Sequence, residues 1–331
     1  VITNVYAYTA LLLVILTYGM ETTFFRFANK EGEDPQKVYS TTLVSVGFTS
    51  LVFVVLVLTF ISPISAAMGY ADHPSYIWVM AVTVALDAFQ CIPFAYLRYK
   101  KRPVKFAVLK LANIIMSIAL NLVFFLVLPA WYESTGGEGV VGNIYSPEVG
   151  VGYAFYINLF CSGMLMLLLL KELTGFRYVF DRALLRRMLG YSWPILVLGI
   201  AGILNQTADK ILFPYIYKGA DAHAQLGIYG AASKIAMIMA MITQAFRYAY
   251  EPFVFGKSKD KDNRDTYAKA MKYFVIFTLL AFLAVIGYMD ILKHLIGRDY
   301  WEGLDVVPIV MAAEIMMGVY FNLSFWYKLI D

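Results

Sequence analysis

The sequence predicts an all-α, polytopic membrane protein built as a bundle of two pseudo-repeated halves, with nine transmembrane helices in this chain. Three observations lead there. First, the 331 residues are 60% hydrophobic and only 15% charged, with a mean hydropathy of +0.66, whereas soluble domains carry about a quarter charged residues. Second, nine apolar segments are each long enough to cross about 30 Å of hydrocarbon, which takes roughly 20 residues. Third, the Lys and Arg residues gather in alternate loops, the pattern that orients membrane bundles with the basic side in the cytoplasm.

The segments are 5–26, 39–62, 76–97, 106–130, 151–171, 191–217, 225–250, 267–288 and 304–327. Pro93, Pro194, Pro214 and Pro308 fall inside three of them, which membrane helices tolerate better than soluble ones. The first inner loop, 26–38, carries Arg26, Lys30 and Lys37, and the second, 97–105, carries Arg98, Lys100, Lys101, Arg102 and Lys105. Residues 171–190 and 251–272 hold five and six more bases. The opposite loops hold only Lys218, Lys293 and Arg298. This alternation places Val1 outside and Asp331 inside. The longest outer connection, 131–150, is Gly-rich without Lys or Arg. It lacks the Gly-Lys-Ser/Thr of a phosphate loop and reads as a plain loop.

An internal repeat is visible in register. The span 5–26 closes on Phe25-Arg26-Phe27-Ala28 and the span 225–250 on Phe246-Arg247-Tyr248-Ala249. The span 76–97 carries Asp87 and closes on Tyr99-Lys100, while 304–327 carries Glu314 and closes on Tyr327-Lys328. These matches predict two parallel halves, as in many transporters. The domains are then an N-terminal bundle over 1–173, a basic cytoplasmic linker over 174–190 and a partial C-terminal bundle over 191–331. The span 191–217 has no partner ahead of residue 5, so one helix is expected to be missing at the N-terminus and at least two at the C-terminus.

Charge at depth is the functional signal. At 1.5 Å per residue, Asp87, Glu314 and Lys234 lie about 14–17 Å below the outer edge of the bilayer. An ionisable side chain there costs about 2.5–3.5 kcal/mol on insertion scales, which makes function the default reading and helix-to-helix pairing the alternative. Lys110, Asn113, Ser117 and Asn121 recur at spacings of three and four, a single helical stripe. That stripe faces either a wet cavity or a neighbouring helix. Thr17 and Glu21 share a face in the same way. In GILNQTADKILFPYI, Asn205 pairs by spacing with Asp209 and Gln206 with Lys210. Lys210 is long enough to reach the interface; Asn205 and Asp209 are not, and they point to a water-filled vestibule. Arg26 and Arg247 sit near the inner interface, where snorkelling explains each separately and their matched positions suggest a common use.

Other chemistries lack their residues. Cys91 and Cys161 lie in apolar runs and read as small buried hydrophobes. His73, His223 and His294 fall in outer loops without metal-ligand spacing. No nucleophile elbow, HExxH or paired Cys motif occurs, so neither enzyme nor metal chemistry is expected.

YGMETTFFRFANK, GILNQTADKILFPYI, YGAASKIAMIMAMITQAFRYAYEPF and GRDYWEGLDVVPIV together resemble the polysaccharide-exporter, Wzx-like branch of the MOP superfamily, the O-antigen and capsule flippases related to MATE drug exporters. The resemblance covers essentially the whole chain, and against the family's twelve or fourteen helices it assigns 1–173 to helices 2–6 and 191–331 to helices 7–10. It implies alternating access by two bundles in the bacterial inner membrane, with an undecaprenyl-diphosphate-linked oligosaccharide as cargo. Lys234 would meet the diphosphate, and Arg26, Arg247 and Lys110 would receive it from the cytoplasm. Asn113, Asn121, Asn205 and Gln206 would solvate sugar hydroxyls. Asp87 and Glu314, with Asp209 and Glu21, would bind a coupling H⁺ or Na⁺; no other cofactor is implied. Membrane lipids and other polysaccharide-assembly proteins are the expected partners, and nucleic acid is not. A MATE-type cation-coupled drug antiporter would share the fold, and a membrane glycosyltransferase (polymerase or ligase) is the rival from another class.

Overall fold

The computed structural model describes the backbone of all residues except Val1, Glu31, Gly175, Lys218, Ala220, 258–262 and Asp331. Side chains are described except for those residues and Ile2, Val140, 247–257, 263–264, Thr266 and 324–330. Helices account for all regular structure among the described residues. They are α1 (Ile2–Thr17), α2 (Met20–Ala28), α3 (Pro35–Thr59), α4 (Ile61–Ala67), α5 (Pro74–Tyr99), α6 (Pro103–Leu122), α7 (Leu128–Thr135), α8 (Val140–Ile144), α9 (Gly152–Leu168), α10 (Leu170–Leu173), α11 (Arg182–Ile216), α12 (Ala222–Lys257), α13 (Asn263–Gly287), α14 (Met289–Leu292) and α15 (Val306–Ile330). Internal contacts gather them into two compact units, one of residues 2–211 and one of residues 212–331.

Local chemistry explains where the helices start and break. Pro35, Pro74 and Pro103 each open a long helix, a position where the missing N–H has no partner to lose. Asp34 caps α3 by accepting from the Gln36 amide at 2.9 Å. The first span breaks at Tyr18 and Gly19, whose φ values are +32° and +68°. Gly19 is required twice over. Its backbone is left-handed, and a Cβ there would stand 2.8 Å from Ile195 Cγ2 and 3.2 Å from the Ser192 carbonyl of α11. Between α6 and α7 one π turn covers Val123–Val127, just before Pro129, whose ring removes a helical donor.

In the unit of residues 2–211, α5 packs against α1, α3 and α9. Its inner end closes over Phe24, Tyr39, Leu43, Ile92, Leu184 and Met188, all buried. In the unit of residues 212–331, α15 packs against α12 and α13 around Ala232, Ile235, Met239, Val307, Met311 and Ile315. Within each unit the acid-bearing helix therefore leans on two preceding long helices, with short helical turns on the intervening outer connection: α4 in one, and α14 with 3-10 turns over Lys293–Leu295 and Arg298–Gly303 in the other.

Eight helices among the described residues are long and apolar enough to cross a membrane, against the nine spans expected. The correction falls on 151–171. There α9 is 17 residues long and stops at Leu168, because Leu169 turns (φ −88°, ψ 0°) and is fully buried with Phe94, Leu97, Leu109 and Leu165. Packing of that leucine breaks an apolar run that continues in sequence. Residues 182–190 of the basic segment are helical and form the first turns of α11. The outer connection 131–150 is partly helical, through the end of α7, α8 and a 3-10 turn at Pro147–Val149.

Candidate functional site

The polar constellation of the first unit is assembled where α5, α6 and α9 meet. Asp87 of α5 accepts a 2.6 Å hydrogen bond from the Ser162 hydroxyl of α9. One turn further along α5, buried Gln90 donates to the Ser162 backbone carbonyl at 2.7 Å. The pair of contacts ties α5 to α9 by the same residue, once through its side chain and once through its backbone. Pro93 follows in the same helix and deprives the Phe89 carbonyl of its helical donor, so this stretch of α5 is polar in backbone as well as in side chain.

Lys110 of α6 supplies the neighbouring positive charge. Its ammonium lies 4.2 Å from the centre of the Phe94 ring, and its field acts on Asp87. The rest of the α6 stripe turns toward α9. Asn113 holds a buried side-chain oxygen with no hydrogen-bond partner among the described residues, and Asn121 donates to the Ser117 carbonyl at 2.7 Å. A cation, a protonated carboxyl and a carbohydrate hydroxyl are all groups that an amide oxygen accommodates.

At the inner end of the unit, Glu21 of α2 forms an ion pair with Arg98 of α5. The Arg98 guanidinium also lies over the Phe25 ring at 5.1 Å and the Phe106 ring at 5.4 Å. Arg26 is exposed and stacks 4.0 Å over the Tyr191 ring of α11, which leaves its N–H edge open for an anion. Thr17 ends α1 and bonds back to the Leu13 carbonyl at 2.8 Å; the break at Tyr18 and Gly19 puts Glu21 on a different helix, so the single face expected for the pair is not formed. On α11, Asn205, Gln206 and Asp209 are exposed. Lys210 pairs with Asp209 at 3.6 Å and donates to the Gln206 carbonyl at 3.2 Å.

In the second unit, Lys234 stands twelve residues into the described apolar stretch Ala222–Phe246, at its midpoint. It is exposed, on the side of α12 opposite buried Ala232, Ile235, Ala236 and Met239, in a stripe with exposed Met237, Met241 and Gln244. No carboxylate pairs with it among the described residues. Glu314 is half-buried on α15, next to buried Ile315. Arg247 belongs to α12, and its side chain lies outside the described residues.

The structure thus ties Asp87 to Ser162 with the field of Lys110 acting on it, gives Glu21 a basic partner, and sets Lys234 on an exposed helix face. It adds Ser162, Gln90 and Arg98, which sequence reasoning had left out. Ser162 and Gln90 carry no charge to mark them, and Arg98 reads as one more base of an inner loop. No group of three metal-ligating side chains occurs among the described residues.

Comparison with curated proteins and with solved structures gives no match. Residues 2–249 match the family described as polysaccharide biosynthesis protein, which covers the whole first unit and α12 with Lys234. The all-α, multi-pass architecture, the depth of its charges and this match identify the chain as a member of the polysaccharide biosynthesis protein family, the family of Wzx-like flippases of the MOP superfamily.

Proposed function

We propose that the protein translocates undecaprenyl-diphosphate-linked oligosaccharides across the bacterial inner membrane by alternating access, for lipopolysaccharide or capsular polysaccharide assembly. The observation that carries this reading is Lys234, a cation exposed at the middle of a membrane helix with no carboxylate partner among the described residues. Facing acyl chains there would cost about 2.5–3.5 kcal/mol. Facing a wet path, the same ammonium meets a diphosphate in a medium where opposite charges attract far more strongly than in water.

The remaining residues take supporting roles. Arg26, held flat on Tyr191, and Arg247 receive the diphosphate at the cytoplasmic side. Lys110 has a second task, because it is the counter-charge for Asp87. A proton or Na⁺ on Asp87 removes a negative charge in whose field Lys110 lies, and the ammonium then favours an anionic headgroup. Glu314, Glu21 and Asp209 complete the set of coupling acids. Asn113, Asn121, Asn205 and Gln206 solvate sugar hydroxyls. Under this reading the protein moves its cargo without a covalent step.

The test follows a labelled undecaprenyl-diphosphate glycan across proteoliposomes containing the intact protein, with Lys234→Ala alongside. Movement in the wild type and its loss in the variant support the reading. No glycan movement, together with H⁺- or Na⁺-driven efflux of a cationic dye, sinks it in favour of the drug antiporter.

A further inference from the structure

Between Asp87 and Glu133 the chain contains no acidic residue, yet it holds Arg98, Lys100, Lys101, Arg102, Lys105 and Lys110. The structure divides the five that lie in the inner turn between α5 and α6. Those at its two edges are neutralised: Arg98 by Glu21 and Lys105 by Glu172, at 2.5 Å. The three between them are exposed, and no carboxylate pairs with them among the described residues. Lys100 lies over the Tyr96 ring, with its ammonium 5.3 Å from the centroid. The ion pairs at either side hold the turn in place, and its own charge of three cations is left uncompensated.

The backbone of the turn is held as firmly. The amides of Lys100, Lys101 and Arg102 donate to the carbonyls of Tyr96, Arg98 and Leu97 at 2.9–3.0 Å, the closure of a helix C-terminus that favours glycine at the left-handed position. Here that position is Lys101, with φ +53°. A lysine kept where glycine is unstrained points to use of its charge.

What the three cations face is set by the helix that follows. Val104, Val108, Leu111, Ile115, Ile118 and Leu122 are all exposed and fall on one side of α6 by their spacing of three and four. The stripe starts two residues after Arg102 and runs about 27 Å at 1.5 Å per residue, more than the roughly 15 Å of one leaflet's hydrocarbon. Phosphate-binding charge at the head of a leaflet-length apolar stripe matches one ligand chemistry, a phosphate ester carrying acyl chains.

We infer that the Lys100–Arg102 turn and the outer stripe of α6 form a binding site for an anionic glycerophospholipid of the cytoplasmic leaflet. The phosphate sits on Lys100, Lys101 and Arg102, and an acyl chain lies along Val104, Val108 and Leu111. This site does not depend on what the protein transports.

The test uses the intact protein in nanodiscs of equal phosphatidylglycerol and phosphatidylcholine, released into a native mass spectrometer so that bound lipids are weighed. Wild type is expected to retain phosphatidylglycerol over phosphatidylcholine. Replacing Lys100, Lys101 and Arg102 together by Gln reduces that preference by about fivefold per charge removed. Lys101→Gly removes a charge and relieves the backbone, so it is expected to lower the preference about fivefold while Tm holds or rises. That second variant keeps the inference testable if the triple variant folds poorly. Arg182→Gln with Arg186→Gln, which removes two exposed inner bases elsewhere, is expected to leave the preference intact. An unchanged preference in Lys101→Gly and in the triple variant overturns the site. So does equal loss in the Arg182/Arg186 control, or removal of the preference by millimolar inorganic phosphate, which would make the ligand a free anion.

Discussion

Ser162 donates to Asp87 at 2.6 Å while its own backbone carbonyl accepts from Gln90 at 2.7 Å, so one residue of α9 fixes both polar groups of α5. A hydrogen bond to a charged group contributes about 1.5–3 kcal/mol. Ser162→Ala is therefore expected to destabilise the purified protein by about that amount if Asp87 is ionised in the resting state, with a matching fall in Tm. Asp87→Asn retains an acceptor for Ser162. It should lower Tm less and abolish the ion dependence of transport. Equal Tm losses with unchanged ion dependence would remove Asp87 from the coupling role.

Lys234 offers the opposite balance. It is exposed and without a carboxylate partner among the described residues, so truncating it leaves no buried charge behind. Lys234→Ala is expected to change stability by less than about 0.5 kcal/mol, the range for surface substitutions, while glycan translocation falls at least tenfold. Lys234→Arg should restore part of it. A large Tm loss in Lys234→Ala would mean that the lysine holds the bundle together.

Gly19 predicts a purely structural defect. With φ +68° and Ile195 2.8 Å from where a Cβ would stand, Gly19→Ala pays about 1–2 kcal/mol for a left-handed alanine and adds a steric clash with α11. Lower yield and Tm are expected. Ile195→Ala, introduced with it, should relieve part of the clash. No improvement from the second change would assign the whole cost to the backbone.

Asp181 sits outside the membrane spans and gives a pH prediction. The Lys37 ammonium, 2.5 Å away, and the Leu184 and Ala183 amides hold its carboxyl down to about 2. Because the folded value lies below the usual 3.8, its contribution is complete above about pH 4 and lost as pH falls through about 2. Asp181→Asn keeps a capping side chain but loses the ion pair. Its Tm should sit below wild type at neutral pH, and the two curves should converge at the acid end. Parallel curves down to pH 2 would exclude Asp181 from the acid response.

The fold was legible because a membrane span is a statement about length and composition, both of which the sequence carries. Reading failed where tertiary packing cut an apolar run. Nothing in MLMLLLLKEL shows that Leu169 leaves the helix to be buried with Phe94 and Leu97, so the helix there is shorter than a span was expected to be. The same limit applies to the site. Depth along a helix marked Asp87, Glu314 and Lys234 by arithmetic, and spacing marked Lys110. Their partners come from helices tens of residues away, as Ser162 does for Asp87 at 75 positions and Arg98 for Glu21 at 77. Periodicity orders residues on one helix and is silent about which helix comes next to it.

The attachment of α11 to the beginning of the chain also sets a schedule for synthesis. Asn4 donates to the Lys210 carbonyl, 206 positions later, and Val14 Cγ1 lies 2.9 Å from where a Cβ on Gly199 would stand. At about 5–20 residues per second, the first helix waits on the order of 10–40 s in the bilayer before the helix that covers it has been made. During that interval Asn4 is without its α11 partner and is exposed to lipid or to the insertion machinery. A ribosome stalled before residue 210 would therefore display an unfinished first unit, with α1 lacking its contact to α11.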